Sequence, residues 1–345
     1  MRMLVFHFVF TMSAMVCAKV QLPPVIGNGM VLQRELPVPV WGWAEPGELV
    51  KVVFSGQERS VKANNDGKWS VEFGPLKAST KPMVMTITCG DDIQILENIL
   101  VGEVWLCSGQ SNMEWGVGNS MNAKEEIAAA THPLIRLFNV PGHTVSAQPK
   151  EQGAGQWRSC EPGSISGFSA VGYYFGRRIK GELNVPVGLI GSNWGGTRIE
   201  PWTPLEGFES VPELSAIAGQ VKSYNSKTRV GGRDPSAIYN SMVHPLTPYA
   251  LRGAIWYQGE SNGAEGETYY QKKHALVNGW RKAFRNDHMA FYWVQLANFQ
   301  QENRNPAGGD GWAKIREAQT KALDIPGTGM AVITDIGEAR DIHPR

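Results

Sequence analysis

Between residues 19 and 99 apolar and polar positions alternate in short runs, at 38–43, 49–54, 68–73 and 83–88. Turn signals separate them: Glu45-Pro46-Gly47, Asn64-Asn65-Asp66-Gly67 and Gly90-Asp91-Asp92. A period of two broken by Gly, Pro and Asn predicts strands, here a small β-sandwich domain over residues 19–97. From residue 98 the pattern changes. Continuous apolar runs at 99–107, 135–140, 185–190, 253–257, 290–295 and 330–334 alternate with amphipathic stretches at 170–183, 268–284 and 312–323. Over 170–183, Val171, Tyr174, Phe175 and Ile179 fall on one helical stripe. Strand and helix in alternation predict an α/β domain over 98–345, a mostly parallel sheet covered on both faces.

A chain of 345 residues with 42% hydrophobic content can fill such a domain plus a smaller one, since single cores seldom grow past ~250 to 300 residues. The formal net charge of +1 has no basic or acidic block behind it. That argues against a nucleic-acid partner or a polybasic membrane contact and leaves a small, roughly neutral ligand. Twelve Trp and nine Tyr could hold sugar rings as well as fill cores. Residues 1–18 carry Arg2, an apolar run and Val16-Cys17-Ala18. This reads as a secretory signal peptide cleaved after Ala18, too short for a stable membrane span, and places the mature chain outside the cell or in a periplasm. Cys89, Cys107 and Cys160 then remain, an odd number without metal-ligand spacing, so no metal site is expected and at most one bridge can form.

In open parallel sheets ligands bind beyond the carboxyl ends of the strands. Three such junctions and the end of the chain are unusual. The first is Cys107-Ser108-Gly109-Gln110-Ser111-Asn112-Met113. A serine turning from strand to helix is either an N-cap or a nucleophile beside free backbone N–H groups, and Met113 rules out the Gly-x-Ser-x-Gly elbow. The second, Gly191-Ser192-Asn193-Trp194-Gly195-Gly196-Thr197-Arg198, has adjacent glycines that allow close backbone approach to a ligand, and no Lys follows Gly196 as a phosphate loop requires. The third is Trp256-Tyr257-Gln258-Gly259-Glu260-Ser261-Asn262. Its Gln258 and Asn262 could donate to an oxyanion without titrating, and Glu260 could orient them or pair with Arg198. Near the end, Asp341-Ile342-His343-Pro344 supplies an imidazole that can return to the sheet edge. The other histidines, His132, His143, His244, His274 and His288 among them, have no similar position.

Taken together, Gly109-Gln110-Ser111-Asn112-Met113, Gly195-Gly196-Thr197, Trp256-Tyr257-Gln258-Gly259-Glu260 and Asp341-Ile342-His343-Pro344 resemble the sialate O-acetylesterase family of the SGNH-hydrolase superfamily. The resemblance implies a flavodoxin-like three-layer α/β fold and a cofactor-free esterase acting on an acetylated sugar. It implies Ser111 as nucleophile, His343 as base and then acid, and an oxyanion hole of the Ser111 and Gly196 N–H groups with a side-chain amide. Gln110, Arg198 and Glu260 become candidates for substrate contact. O-acetylated sialic acid is the leading substrate, acetylxylan or another polysaccharide the alternative, and a non-catalytic carbohydrate-binding protein the competing class. The superfamily's Gly-x-Asn-Asp block is Gly259-Glu260-Ser261-Asn262 here, so Gln258 or Asn262 could be the amide donor. Its Asp three residues before the His is Arg340, which leaves Asp341, Asp335, Glu338 or an unpaired dyad open. A doubly wound fold would still need a closing helix after His343, so a truncated chain is expected.

Overall fold

The computed structural model describes residues 19–263, 265–302, 304–305 and 311–343. The expected signal peptide, 1–18, and Pro344 lie outside the described residues. The first strands are β1 (Val31–Gln33), β2 (Val38–Trp43), β3 (Leu49–Phe54), β4 (Gln57–Lys62), β5 (Lys68–Phe73), β6 (Ser79–Cys89) and β7 (Asp92–Gly109). Then follow β8 (His132–Asn139), β9 (Trp157–Cys160), β10 (Val187–Asn193), β11 (Gly253–Tyr257), β12 (Ala290–Val294) and β13 (Thr328–Ala331).

Alternation does what the sequence pattern predicts in the first part. Trp69, Val71 and Phe73 of β5 are buried while Lys68, Ser70 and Glu72 face out, and each such large apolar side chain contributes roughly 1.5–3 kcal/mol on burial. The polar run of β4 gave no such signal. It pairs with β3 alone and carries Glu58, Arg59 and Lys62, the charges that blunt an open sheet edge. β2 and β5 form a separate antiparallel ribbon.

β7 joins the two parts of the chain. Its first half runs antiparallel to β6, and Leu100–Gly102 lies alongside β1. Its second half, Glu103–Gly109, is the middle strand of a sheet ordered β13-β12-β11-β7-β10-β8-β9. The expected boundary at residue 97 therefore falls inside one continuous strand, and a single buried apolar cluster runs from Val20 to Ile325. The sheet is mixed: its pairings are parallel except β8 with β9. The chain first builds β8, β9 and β10 to one side of β7, then reverses to build β11, β12 and β13 on the other. The crevice at such a reversal, at the carboxyl end of β7, is where an open α/β sheet can accept a ligand.

Helices occur at Ala170–Leu183, Glu267–Ala283 and Gly311–Lys321, within two residues of the amphipathic stretches. Ser169 caps the first by accepting from the Gly172 N–H at 3.1 Å. Residues 200–246 fold into short helical turns that no periodicity announced, because Pro201, Pro204, Pro212 and Pro245 interrupt any long helix. Cys89, Cys107 and Cys160 are all buried. Among the described residues no helix is long and apolar enough to cross a membrane.

Candidate active site

β7 ends at Gly109, where φ is +144° and a Cβ would stand 2.1 Å from the Tyr257 carbonyl oxygen. Only glycine lets the end of β7 lie against β11 here. The Gln110 N–H donates to that same carbonyl at 2.9 Å, and the chain then turns into the short helix Ser111–Glu114. Gln110, not Ser111, is the N-cap residue, and no side chain caps the turn. The Ser111 Oγ faces His343 Nε2 instead, at 3.1 Å. On the far side of the ring, Nδ1 is 3.3 Å from Asp341 Oδ1, which also accepts the His343 backbone N–H at 3.0 Å. That turn lets a carboxylate only two residues away reach the imidazole. Asp335 and Glu338 are exposed and make no hydrogen bond or ion pair with His343 among the described residues. The Trp115 indole stacks on the imidazole, centroids 5.0 Å apart.

Two residues beside Ser111 brace this arrangement. Asn112 Nδ2 donates to Glu260 Oε1 at 2.6 Å and to the Ile342 carbonyl at 3.1 Å. Burial pushes the Glu260 carboxyl up to about 7, against the hydrogen bonds from Asn112 and the backbone that favour its ionised form. Its Oε2 is buried with no partner among the described residues. Glu114 reaches across to the second junction: its Oε2 accepts the Gly195 N–H at 2.6 Å and its Oε1 meets His143 Nε2 at 2.6 Å. The His143 ring lies flat on Trp194 at 4.7 Å. Gly196 is left exposed with φ +74°, and neither its N–H nor that of Ser111 donates to a protein group among the described residues.

The remaining sequence candidates lie elsewhere than expected. Gln258 is fully buried, and its amide donates to Thr197 O at 3.1 Å and Asn262 Oδ1 at 2.8 Å, so neither hydrogen is available to an oxyanion. Asn262, also buried, donates to Glu200 Oε2 at 3.1 Å and accepts from the Ile199 N–H. These amides hold the second junction against the third. Arg198 pairs with Glu200 at 3.0 Å and with Glu265, not with Glu260. Lys272 closes that cluster on Glu200 at 2.7 Å and Glu265 at 2.5 Å. Burial alone would raise the Glu200 carboxyl, but Lys272 and the surrounding hydrogen bonds outweigh it and hold the group below its ordinary range. Gln110 is buried as well, its Oε1 accepting from Gly259 and Ser261 N–H groups at 3.4 and 3.2 Å.

Sequence reasoning missed Asn112, Glu114, Trp115, His143 and Trp194. Asn112 and Glu114 lie one and three residues from Ser111 and could have been tested as neighbours of the candidate serine. His143, in a loop, gave no local signal.

Fold and site together define a class: α/β proteins with serine, imidazole and carboxylate in line at the carboxyl edge of a mostly parallel sheet. Residues 101–343 match the family described as carbohydrate esterase, sialic acid-specific acetylesterase. The chain belongs to that family. It is 33% identical over 357 residues to the sialate O-acetylesterase of Homo sapiens, covering 93% of this chain and 66% of that protein. The Mus musculus sialate O-acetylesterase is 30% identical over 378 residues, with 93% and 69% covered. The chain thus spans about two thirds of the length of these relatives. Among solved structures it is similar to a carbohydrate acetylesterase from Xanthomonas citri, with TM-score 0.83, 35% identity, and 94% of this chain and 71% of that one covered.

Proposed function

We propose that this protein is a serine esterase that removes acetyl groups from a sugar, with O-acetylated sialic acid as its substrate. The observation that carries the reading is the 3.1 Å approach of Ser111 Oγ to His343 Nε2, with Asp341 behind the ring. A serine hydroxyl is a poor nucleophile near neutral pH and needs a base within hydrogen-bond reach, held in the right tautomer by a third group.

Ser111 Oγ attacks the acetyl carbonyl carbon as His343 takes the hydroxyl proton. The carbonyl oxygen becomes an oxyanion beside the N–H groups of Ser111 and Gly196, which donate to no protein group among the described residues. When the C–O bond to the sugar breaks, His343 returns the proton to the departing sugar oxygen and an acetyl ester remains on Ser111. Water, deprotonated by His343, attacks this ester and releases acetate, and the proton passes back to Ser111. Asp341 keeps the proton on Nδ1 so that Nε2 faces the serine, and stabilises the imidazolium.

The family match and the named relatives support an acetylated sugar as substrate. We read the fold as a three-layer SGNH-type domain after a β-sandwich, and residues 1–18 as an export signal. Acetate release from O-acetylated sialic acid and from acetylxylan, with a fluorophosphonate label on the same protein, tests the reading. Label on Ser111 and faster release from the sialic acid support it. Faster release from acetylxylan moves the substrate to plant polysaccharide, and an unlabelled Ser111 in intact protein favours a binding module.

A further inference from the structure

Between the β2–β5 ribbon and the α/β part lies a cavity of about 630 Å³, lined by none of the candidate catalytic residues. One wall is the ribbon. Trp41 and Trp43 lie two residues apart on β2 and so face the same way, beside their cross-strand partners Ser70 and Lys68. Both indoles are half-buried. The other wall carries Tyr239 and His244, edge to face at 6.0 Å, and two cations, Lys282 and Arg285, at the end of the helix Glu267–Ala283.

Charge on this wall is uneven. Lys68 is paired with Glu151 at 2.8 Å. Lys282 and Arg285 have no ion pair among the described residues, and Glu206 is the one further carboxylate on the lining. A helix dipole favours a cation at the C-terminal end of a helix, but it gives no reason for indoles opposite it. Aromatic faces across a partly open cleft from unpaired cations match a ring with an apolar C–H face and an anionic substituent.

We propose that this cavity is a second carbohydrate site, distinct from the acyl-transfer site, that takes a carboxylate-bearing sugar residue of a glycan. Trp41 and Trp43 contact the ring face, and Lys282 and Arg285 hold the carboxylate. The inference rests on the substrate being a glycan, so the test keeps the two readings apart.

Wild-type protein, Trp43→Ala and the double variant Lys282→Ala/Arg285→Ala are titrated calorimetrically with an α2,8-linked sialic acid trimer free of O-acetyl groups. Hydrolysis of 4-nitrophenyl acetate is followed in parallel. The double variant, which alters only exposed or half-buried charges, is expected to bind the trimer about tenfold more weakly with ester hydrolysis unchanged. Trp43→Ala is expected to weaken binding as well. Equal affinity in wild type and double variant, absence of trimer binding by an active wild type, or equally tight binding of neutral xylotriose each overturns the proposal. Loss of 4-nitrophenyl acetate hydrolysis in the wild type would sink the esterase reading instead, and a trimer affinity that depends on Lys282 and Arg285 would still support the cavity.

Discussion

Asn112 donates its side-chain amide to the Ile342 carbonyl at 3.1 Å, so the residue after Ser111 holds the residue before His343. Some 230 positions of sequence are closed by that contact. If it sets the 3.1 Å Ser111–His343 distance, Asn112→Ala should lower kcat about 100-fold with little change in KM, because misplacement of a base by an ångström costs that much. Steady-state kinetics on 4-nitrophenyl acetate read it directly; an unaltered kcat would remove Asn112 from the positioning of His343.

Replacing the hydroxyl should be far more severe. Ser111→Ala is expected to reduce kcat by about 10⁵-fold or more, since the groups of a triad act as a unit. Asp341→Asn preserves the turn but offers His343 the wrong partner, and a loss between about 100- and 10⁴-fold is expected. A near-normal rate for Asp341→Asn, measured beside Asp335→Asn, would leave Ser111 and His343 as a dyad.

Glu260 makes stability depend on pH. Burial places its folded-state pKa at about 7, above the 4.5 of an ordinary glutamate. Between these values the folded chain holds a proton that the unfolded chain has lost, so stability falls as pH rises through the window and stays lower above it. Glu260→Gln keeps an acceptor for Asn112 but does not titrate. Its melting temperature relative to wild type should climb from pH 4.5 to pH 8, with activity largely retained, whereas Glu260→Ala loses activity as Asn112→Ala does. Parallel melting profiles across that range would refute the assignment.

Lys273 is fully buried with its Nζ 4.5 Å from the Trp293 ring centre, near Trp256, Tyr269 and Phe291. It has no hydrogen-bond partner among the described residues. Cation–π attraction is worth about 2 kcal/mol in such a place, less than the several kcal/mol that burying an ammonium costs, so burial lowers its pKa well below the usual range. Between that lowered value and pH 10.5 the folded chain binds fewer protons than the unfolded one, so stability rises with pH across this window. Lys273→Met should raise the melting temperature, more at pH 7 than at pH 10. Destabilisation at both would mean that the cage holds a cation.

Gly109→Ala tests the close approach of β7 to β11. The new methyl would meet the Tyr257 backbone rather than a movable side chain. A fall in melting temperature of about 5 °C or more is expected from overpacking, together with reduced activity as Ser111 shifts. A variant as stable and active as wild type would show that the strand ends can separate freely.

Much of this molecule follows from local pattern. Trp69, Val71 and Phe73 alternate with polar neighbours and become a strand face, and Val171 with Phe175 marks a helix. Gly109, Ser111, Gly196 and His343 stood out together, because a cap or an ordinary turn explains each one alone but not all of them at successive strand ends. The sequence by itself determined the element types, the alternation that makes an α/β sheet, and the junctions at which chemistry could sit. Tertiary structure decided how those junctions meet. Gln258 and Asn262 could have faced a substrate or one another, and only the packing of β11 against the 195–200 loop turns their amides inward to Thr197 and Glu200. Asp341 reaches His343 because the backbone between them turns, and a spacing of two cannot say whether it will. His143 joins Glu114 across 29 residues. Backbone preferences act over a few residues and leave a trace in sequence, whereas a hydrogen bond between distant side chains depends on where the whole chain places them.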